Sequence, residues 1–143
     1  MTTLIYSKDN FMEMDSMHDA VATKISIKDK TLTVEYDNLD KKGIIWRNSP
    51  ASENKKITVE YEFASYCEAK FFQKSKWKFI DLSDEADKFY KLTNNVKFTS
   101  YKYSLDSFGQ ITLFFCIYEK HKYQNFEIGM DATKITYTLY PIV

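Results

Sequence analysis

The sequence predicts an all-β or α+β fold: a mostly antiparallel sandwich or barrel-like sheet of about seven to nine strands with one short helix near residues 83–92. Three observations carry this. Apolar and polar residues alternate with period two, most regularly where Ile57, Val59, Tyr61 and Phe63 interleave with Thr58, Glu60 and Glu62, as on a half-buried strand. Such runs follow one another through short polar breaks, without the strand–helix–strand alternation of a parallel sheet. The chain is 44% hydrophobic and 17% aromatic over 143 residues, too apolar for disorder and long enough for one self-sufficient core. Residues 1–143 are therefore read as a single domain.

After an N-terminal segment holding Met12, Met14 and Met17, the first strand pair is Val21–Ile27 and Leu32–Tyr36 around Asp29-Lys30. With Lys28 opposite Thr31, Ile27 faces Leu32, Ile25 faces Val34 and Thr23 faces Tyr36, which gathers the apolar side chains on one face. Residues 37–56 are polar around Ile44-Ile45-Trp46, with Gly43 and Pro50, and read as a long mobile connection holding at most one short strand. The parity of Ile57 continues through Cys67, Ala69 and Phe71. After a turn at Lys74-Ser75-Lys76, Trp77 and Phe79 resume it, completing a second hairpin.

Ser83 to Leu92 is the one helical stretch, with Leu82, Ala86, Phe89 and Tyr90 at helical spacing behind Ser83 as N-cap. Val96 and Phe98 have the opposite parity to Tyr101, Tyr103 and Leu105, so a β-bulge near Thr99-Ser100 restores one apolar face. A three-residue loop Ser107-Phe108-Gly109, with Gly109 in the left-handed region, sets Leu105 against Ile111, Tyr103 against Leu113 and Tyr101 against Phe115. The last strand is Ile135–Leu139. Ile111, Leu113, Phe115 and Ile117 then face the core, yet the other face of that strand carries Phe114, Cys116 and Tyr118, too apolar for plain solvent. Either the helix covers it through Ala86, Phe89 and Tyr90 or a partner chain does, and the helix is preferred because its own stripe needs a face to bury.

Composition excludes several function classes. Twenty basic residues balance twenty acidic ones, and Arg47 is the single arginine, so the guanidinium vocabulary of a nucleic-acid reader is missing. The Lys, Asn, Ile, Tyr and Phe bias is also what an AT-rich bacterial genome writes. Three dispersed glycines build no phosphate-cradling loop. The start, MTTLIYSKDNFMEMD, lacks an apolar signal core, and Ser107–Tyr118, the longest uncharged stretch, is too short for a membrane helix, so the expectation is a cytoplasmic protein without a membrane role. Cys67 and Cys116 are expected to be reduced and mostly buried, as in a reducing compartment.

No catalytic set assembles from the residue types. His18-Asp19 could orient an imidazole, but a turn before the first strand explains it better, and no nucleophile elbow exists for it to serve. Glu60 and Glu62 share a face as the solvated side of an amphipathic strand does. Cys116-x4-His121, with His18 and Cys67 distant, is not a metal-ligand spacing, so no metal and no cofactor is expected. Basic and aromatic residues interleave at Tyr101-Lys102-Tyr103 and at Lys120-His121-Lys122-Tyr123, as on single-strand-binding platforms. Parity sends Lys102 away from its tyrosines, leaving the second as the surface patch. The binding residues chosen on these grounds are Phe114, Tyr118, Lys120, His121 and Tyr123.

Met17-His18-Asp19-Ala20-Val21, running into Ile25-Ser26-Ile27, a tight turn and Leu32-Thr33-Val34, resembles the opening of small bacterial β-rich proteins, some classed as immunity proteins against polymorphic toxins. The resemblance covers residues 11–36. It implies a cytoplasmic binding protein and carries no catalytic residue, although the neutral net charge does not match an inhibitor of a basic nuclease. The functional expectation is a non-enzymatic protein-interaction protein, an immunity-type inhibitor being its specific form. A small-ligand-binding barrel or sandwich is the alternative. An unknown protein partner or a homo-oligomer fits the first; nucleic acid does not.

Overall fold

Eight antiparallel strands form one hydrogen-bonded sheet in the computed structural model, which describes residues 2–14, 17, 20–37, 56–73, 75–93, 98–106, 109–119 and 122–140. They are β1 (Thr2–Ser7), β2 (Val21–Lys28), β3 (Thr31–Asp37), β4 (Lys56–Gln73), β5 (Lys76–Asp81), β6 (Phe98–Leu105), β7 (Ile111–Glu119) and β8 (Lys122–Tyr140), with helix α1 at Ala86–Thr93 between β5 and β6. The order is β1-β8-β7-β6-β2-β3-β4-β5, and β8 also pairs with β4. Strands β2, β3, β4, β8, β7 and β6 therefore close a ring. Closure at the β2–β6 seam is short, Val21 to Thr99 and Ala22 to Phe98, reinforced by the Ser100 amide donating to the Ala20 carbonyl at 2.9 Å.

Two long strands hold the ring together. The first half of β4 lies between β3 and β8, and its second half between β5 and β8. Strand β8 likewise pairs with β7 through its first half and with β1 through its second. Both strands break register where they face each other, around Glu62–Cys67 and Met130–Lys134. There, parity switches on β8: Phe126, Ile128, Met130 and Ala132 are buried, then Ile135, Tyr137 and Leu139. Thr133 is the residue passed over, and its hydroxyl donates to the Glu62 carbonyl at 3.2 Å.

The bend in β4 is held by Asp131. Its carboxylate accepts from the amides of Ser65 and Tyr66, each at 3.0 Å to Oδ1, and from the Ser65 hydroxyl. These donors lie where the ladder is interrupted and need another acceptor. Partial desolvation pushes the Asp131 carboxyl up, but the bonds from Ser65 and Tyr66 outweigh it and hold the pKa down, from 3.8 to about 2. A depressed carboxylate stabilises the fold above its unfolded pKa, and that stability is lost as pH falls from 3.8 through about 2. Urea midpoints measured across this window are expected to fall in the native protein and to change less in Asp131→Asn; parallel acid limbs would contradict the assignment.

Much of the expected register is present. Lys28 pairs with Thr31, Ile27 with Leu32 and Ile25 with Val34, on a two-residue turn whose Asp29 and Lys30 both have positive φ, 48° and 58°, as a type I′ turn demands. Tyr36 faces Ala22 instead of Thr23, because a bulge between Ala22 and Lys24 shifts the frame. Leu105–Ile111 and Tyr103–Leu113 pair as expected. The bulge in β6, however, lies between Ser100 and Lys102, so Ser100 rather than Tyr101 meets Phe115. Gly109 has φ 81°, and a Cβ there would meet nothing within 4 Å. Gly109→Ala is therefore expected to cost about 1–2 kcal/mol through backbone strain alone, with Gly109→Asn milder; equal urea midpoints for Ala and wild type would refute that.

The helix begins later than expected. Ser83 does not cap it: the Ser83 amide donates to the Asp81 carboxylate at 2.9 Å in a turn that delays the first helical residue to Ala86. The helix does not cover Phe114 either. Phe89 is buried among Phe71 and Phe126, both on the inner face of the sheet, and the Ile27 amide donates to the Tyr90 hydroxyl at 2.9 Å. The apolar stripe of α1 thus closes the inside of the ring, while Phe114 lies on the outside, half-buried, with the Lys102 ammonium 5.2 Å from its ring centre.

Two of the N-terminal methionines, Met14 and Met17, have a similar role, whereas Met12 is exposed. Phe11, Met14 and Met17 are buried around a short 3-10 turn at Phe11–Glu13. The Tyr103 hydroxyl lies 3.1 Å from the Phe11 carbonyl and 3.0 Å from that of Met14, tying this segment to β6. The inner space between carries Tyr36, Tyr61 and Tyr137, all nearly fully buried. Burial first, then the neighbouring Tyr36 and Tyr137 phenols, raise the Tyr61 pKa well above its ordinary value. His18-Asp19, the connection at 38–55 with Gly43 and Ile44-Ile45-Trp46, and Val96 lie outside the described residues.

Candidate binding surface

The outer face of β4 and β5 exposes Phe72, Trp77 and Phe79, at 49%, 51% and 57%. Apart from Ile80, every residue of β5 is exposed. Trp77 and Phe79 therefore do not resume the buried parity of β4: in register Trp77 opposes Phe72 and Phe79 opposes Lys70, both pointing outward, while Ile80 opposes buried Ala69. Alternation shows which residues share a face of a strand, not which face is covered. Here β5 is an edge strand, paired among the described residues with β4 alone.

Phe72 and Trp77 are in contact, and Phe79 shares their face two residues along β5. Phe72 and Trp77 rings lie 5.2 Å apart between centres, and the Lys70 ammonium stands 5.8 Å from the Phe79 ring. Across the sheet the same outer row reads Phe79, Lys70, Glu127, Phe114, Lys102. Phe114, chosen from sequence, thus shares the face of the exposed ledge. Of the other residues chosen with it, Tyr118 and Tyr123 occupy paired backbone positions but their side chains, like Lys120 and His121, lie outside the described residues.

Lysines and aromatics divide between the two faces of β5. Lys76 and Lys78 alternate with Trp77 and Phe79, and Lys78 opposes inward-pointing Phe71. The aromatic face itself carries Lys70 against Glu68, Asp81 and Glu127, placed there by register.

Several other chemistry-bearing groups among the described residues make structural contacts. Glu62 ion-pairs with Lys134 at 3.9 Å, and Ser65 with Asp131 belongs to the bend of β4. No group of three or more His, Cys, Asp or Glu that could hold a metal occurs among the described residues. Both cysteines are free thiols. Cys67 is buried, and burial first, then the Asp81 and Asp131 carboxylates, push its thiol up to about 12. Cys116 is only half-buried, on the outer face, and its thiol donates to Asn125 Oδ1 at 3.0 Å. That departs from the expected burial of both. Native protein is expected to show one accessible thiol, Cys116, with Cys67 reacting only on unfolding; two fast thiols would contradict the burial of Cys67.

No protein-family model matches this chain, and neither a curated protein nor a solved structure matches it. No helix among the described residues is long and apolar enough to cross a membrane.

Proposed function

We propose that this chain is a non-enzymatic protein-interaction module of the cytoplasm that holds its partner on the Phe72–Trp77–Phe79 ledge. The observation that carries this reading is the half-exposure of three adjacent aromatic side chains at one sheet edge. Contiguous exposed apolar surface marks interaction sites, and aromatic residues dominate the energetics of interfaces. The resemblance of residues 11–36 to the opening of small bacterial β-rich proteins, some classed as toxin-immunity proteins, suits a binder of this kind, and an immunity-type inhibitor is the specific form proposed.

The test compares wild type with a Trp77→Ser/Phe79→Ser variant as immobilised baits in native extract, read by quantitative mass spectrometry and thermal melting. Exposed positions tolerate such changes within about 0.5 kcal/mol. The reading expects a protein retained by wild type and lost by an equally stable variant. Equal recovery by both would refute the ledge as the binding site.

A further inference from the structure

Building on the ledge as the binding site, we propose that its occupant is an extended acidic–apolar segment of another protein, added as a strand to the edge of β5 that pairs with no other described strand. Backbone phase supports this first. The Leu82 amide donates to the Cys67 carbonyl at 2.9 Å, and Leu82 follows the β4–β5 register in which Asp81 pairs with Glu68. Hydrogen-bonded positions alternate in an antiparallel pair, so Lys76, Lys78 and Ile80 direct their amides and carbonyls to β4. Trp77 and Phe79 direct theirs to the open edge. A row of such groups is the template for strand addition.

Charge then selects the strand. Cross-strand neighbours share a face, so residues of the added strand opposite Lys76 and Lys78 lie beside two exposed ammonium groups, and those opposite Trp77 and Phe79 extend the aromatic ledge. The complementary pattern alternates Glu or Asp with apolar residues. Edge lysines alone are a common guard against uncontrolled pairing, but that role leaves Phe72, Trp77 and Phe79 unexplained.

Two other occupants fit less well. A nucleic acid needs an excess of cations beside the stacking aromatics, whereas here Lys70 and, further along the outer row, Lys102 are outnumbered by three carboxylates, Glu68, Asp81 and Glu127. A second copy paired so that Trp77 meets the other Phe79 sets Lys78 directly opposite the other Lys78, and like charges so placed repel.

Fluorescence anisotropy of the full chain with three labelled probes tests this: an alternating Glu-Val decapeptide, its Lys-Val counterpart and an oligothymidylate of similar length. Amide exchange at Trp77 and Phe79 is followed in parallel. The Glu-Val peptide is expected to bind at least about tenfold more tightly than either other probe and to slow both amides. Lys76→Glu/Lys78→Glu should reverse the preference between peptides, and Trp77→Ser should weaken binding while leaving the melting temperature unchanged. Equal affinity for the two peptides, tighter binding of oligothymidylate, self-association through the edge, or Glu-Val binding without slowed Trp77 and Phe79 amides would each overturn the proposal. If a different probe wins and Trp77→Ser abolishes its binding, the ledge survives and only its occupant is wrong. If no probe binds, the strand-addition proposal fails, and the extract comparison decides the ledge separately.

Discussion

Phe126→Ala is expected to lower stability by about 3–5 kcal/mol, the range for emptying a buried phenylalanine site. Phe126 is the middle ring of a cross-strand row, Phe71 on β4, Phe126 on β8 and Phe115 on β7. Its ring lies nearly parallel to both neighbours, 5.1 Å from Phe71 and 5.0 Å from Phe115. Phe89 meets it edge-on from the helix at 6.0 Å. Truncation removes contacts to two neighbouring strands and the helix together, and rings held by paired backbones cannot collapse fully into the vacancy. Urea denaturation read by near-ultraviolet circular dichroism measures the loss; a change below about 1 kcal/mol would mean the ring does not anchor this layer.

Phe89→Ala is expected to cost a similar amount, about 3–5 kcal/mol, and to loosen one element more than the rest. Helix α1 has eight residues, too short to persist alone in water, and Phe89 is its one fully buried anchor. Amides of Ala86–Thr93 should lose protection from exchange while those of β4 and β8 keep theirs. In a double-mutant cycle with Phe126→Ala the two losses should be non-additive by about 0.5–1.5 kcal/mol, as for rings in contact. Phe114→Ala provides the contrast, since its half-buried ring lies outside this layer.

How much of this was legible depends on what local pattern can encode. The hairpin of β2 and β3 follows from alternation and a tight turn, and fails only where a bulge at Ala22–Lys24 breaks the frame. The buried parity of β4 is visible from Ile57 to Phe71. Strand β8 was half hidden because Thr133 and the bend around Asp131 shift its parity, so that only Ile135–Leu139 is read as a strand. Phe126, Ile128, Met130 and Ala132 nevertheless alternate, and that signal could have revealed the first half. Burial itself was not legible: Trp77 and Phe79 alternate as core residues do, and only the absence of cover on the outer side of an edge strand separates them from Ile57 and Val59. The placement of α1 was equally beyond local pattern, since an amphipathic stripe states that a face is buried but not against which side of a sheet.

Strand β8 is the last of the eight in the chain, yet β1, β4 and β7 all pair with it. During synthesis, which proceeds from the N-terminus, those three strands emerge before their shared neighbour. Until residues 122–140 leave the ribosome, each offers an unpaired edge with Ile57, Val59, Phe71 and Phe115 exposed beside it. Nascent chains of this protein should therefore depend on holding chaperones until that strand emerges, and a ribosome stalled ahead of it should present an aggregation-prone intermediate.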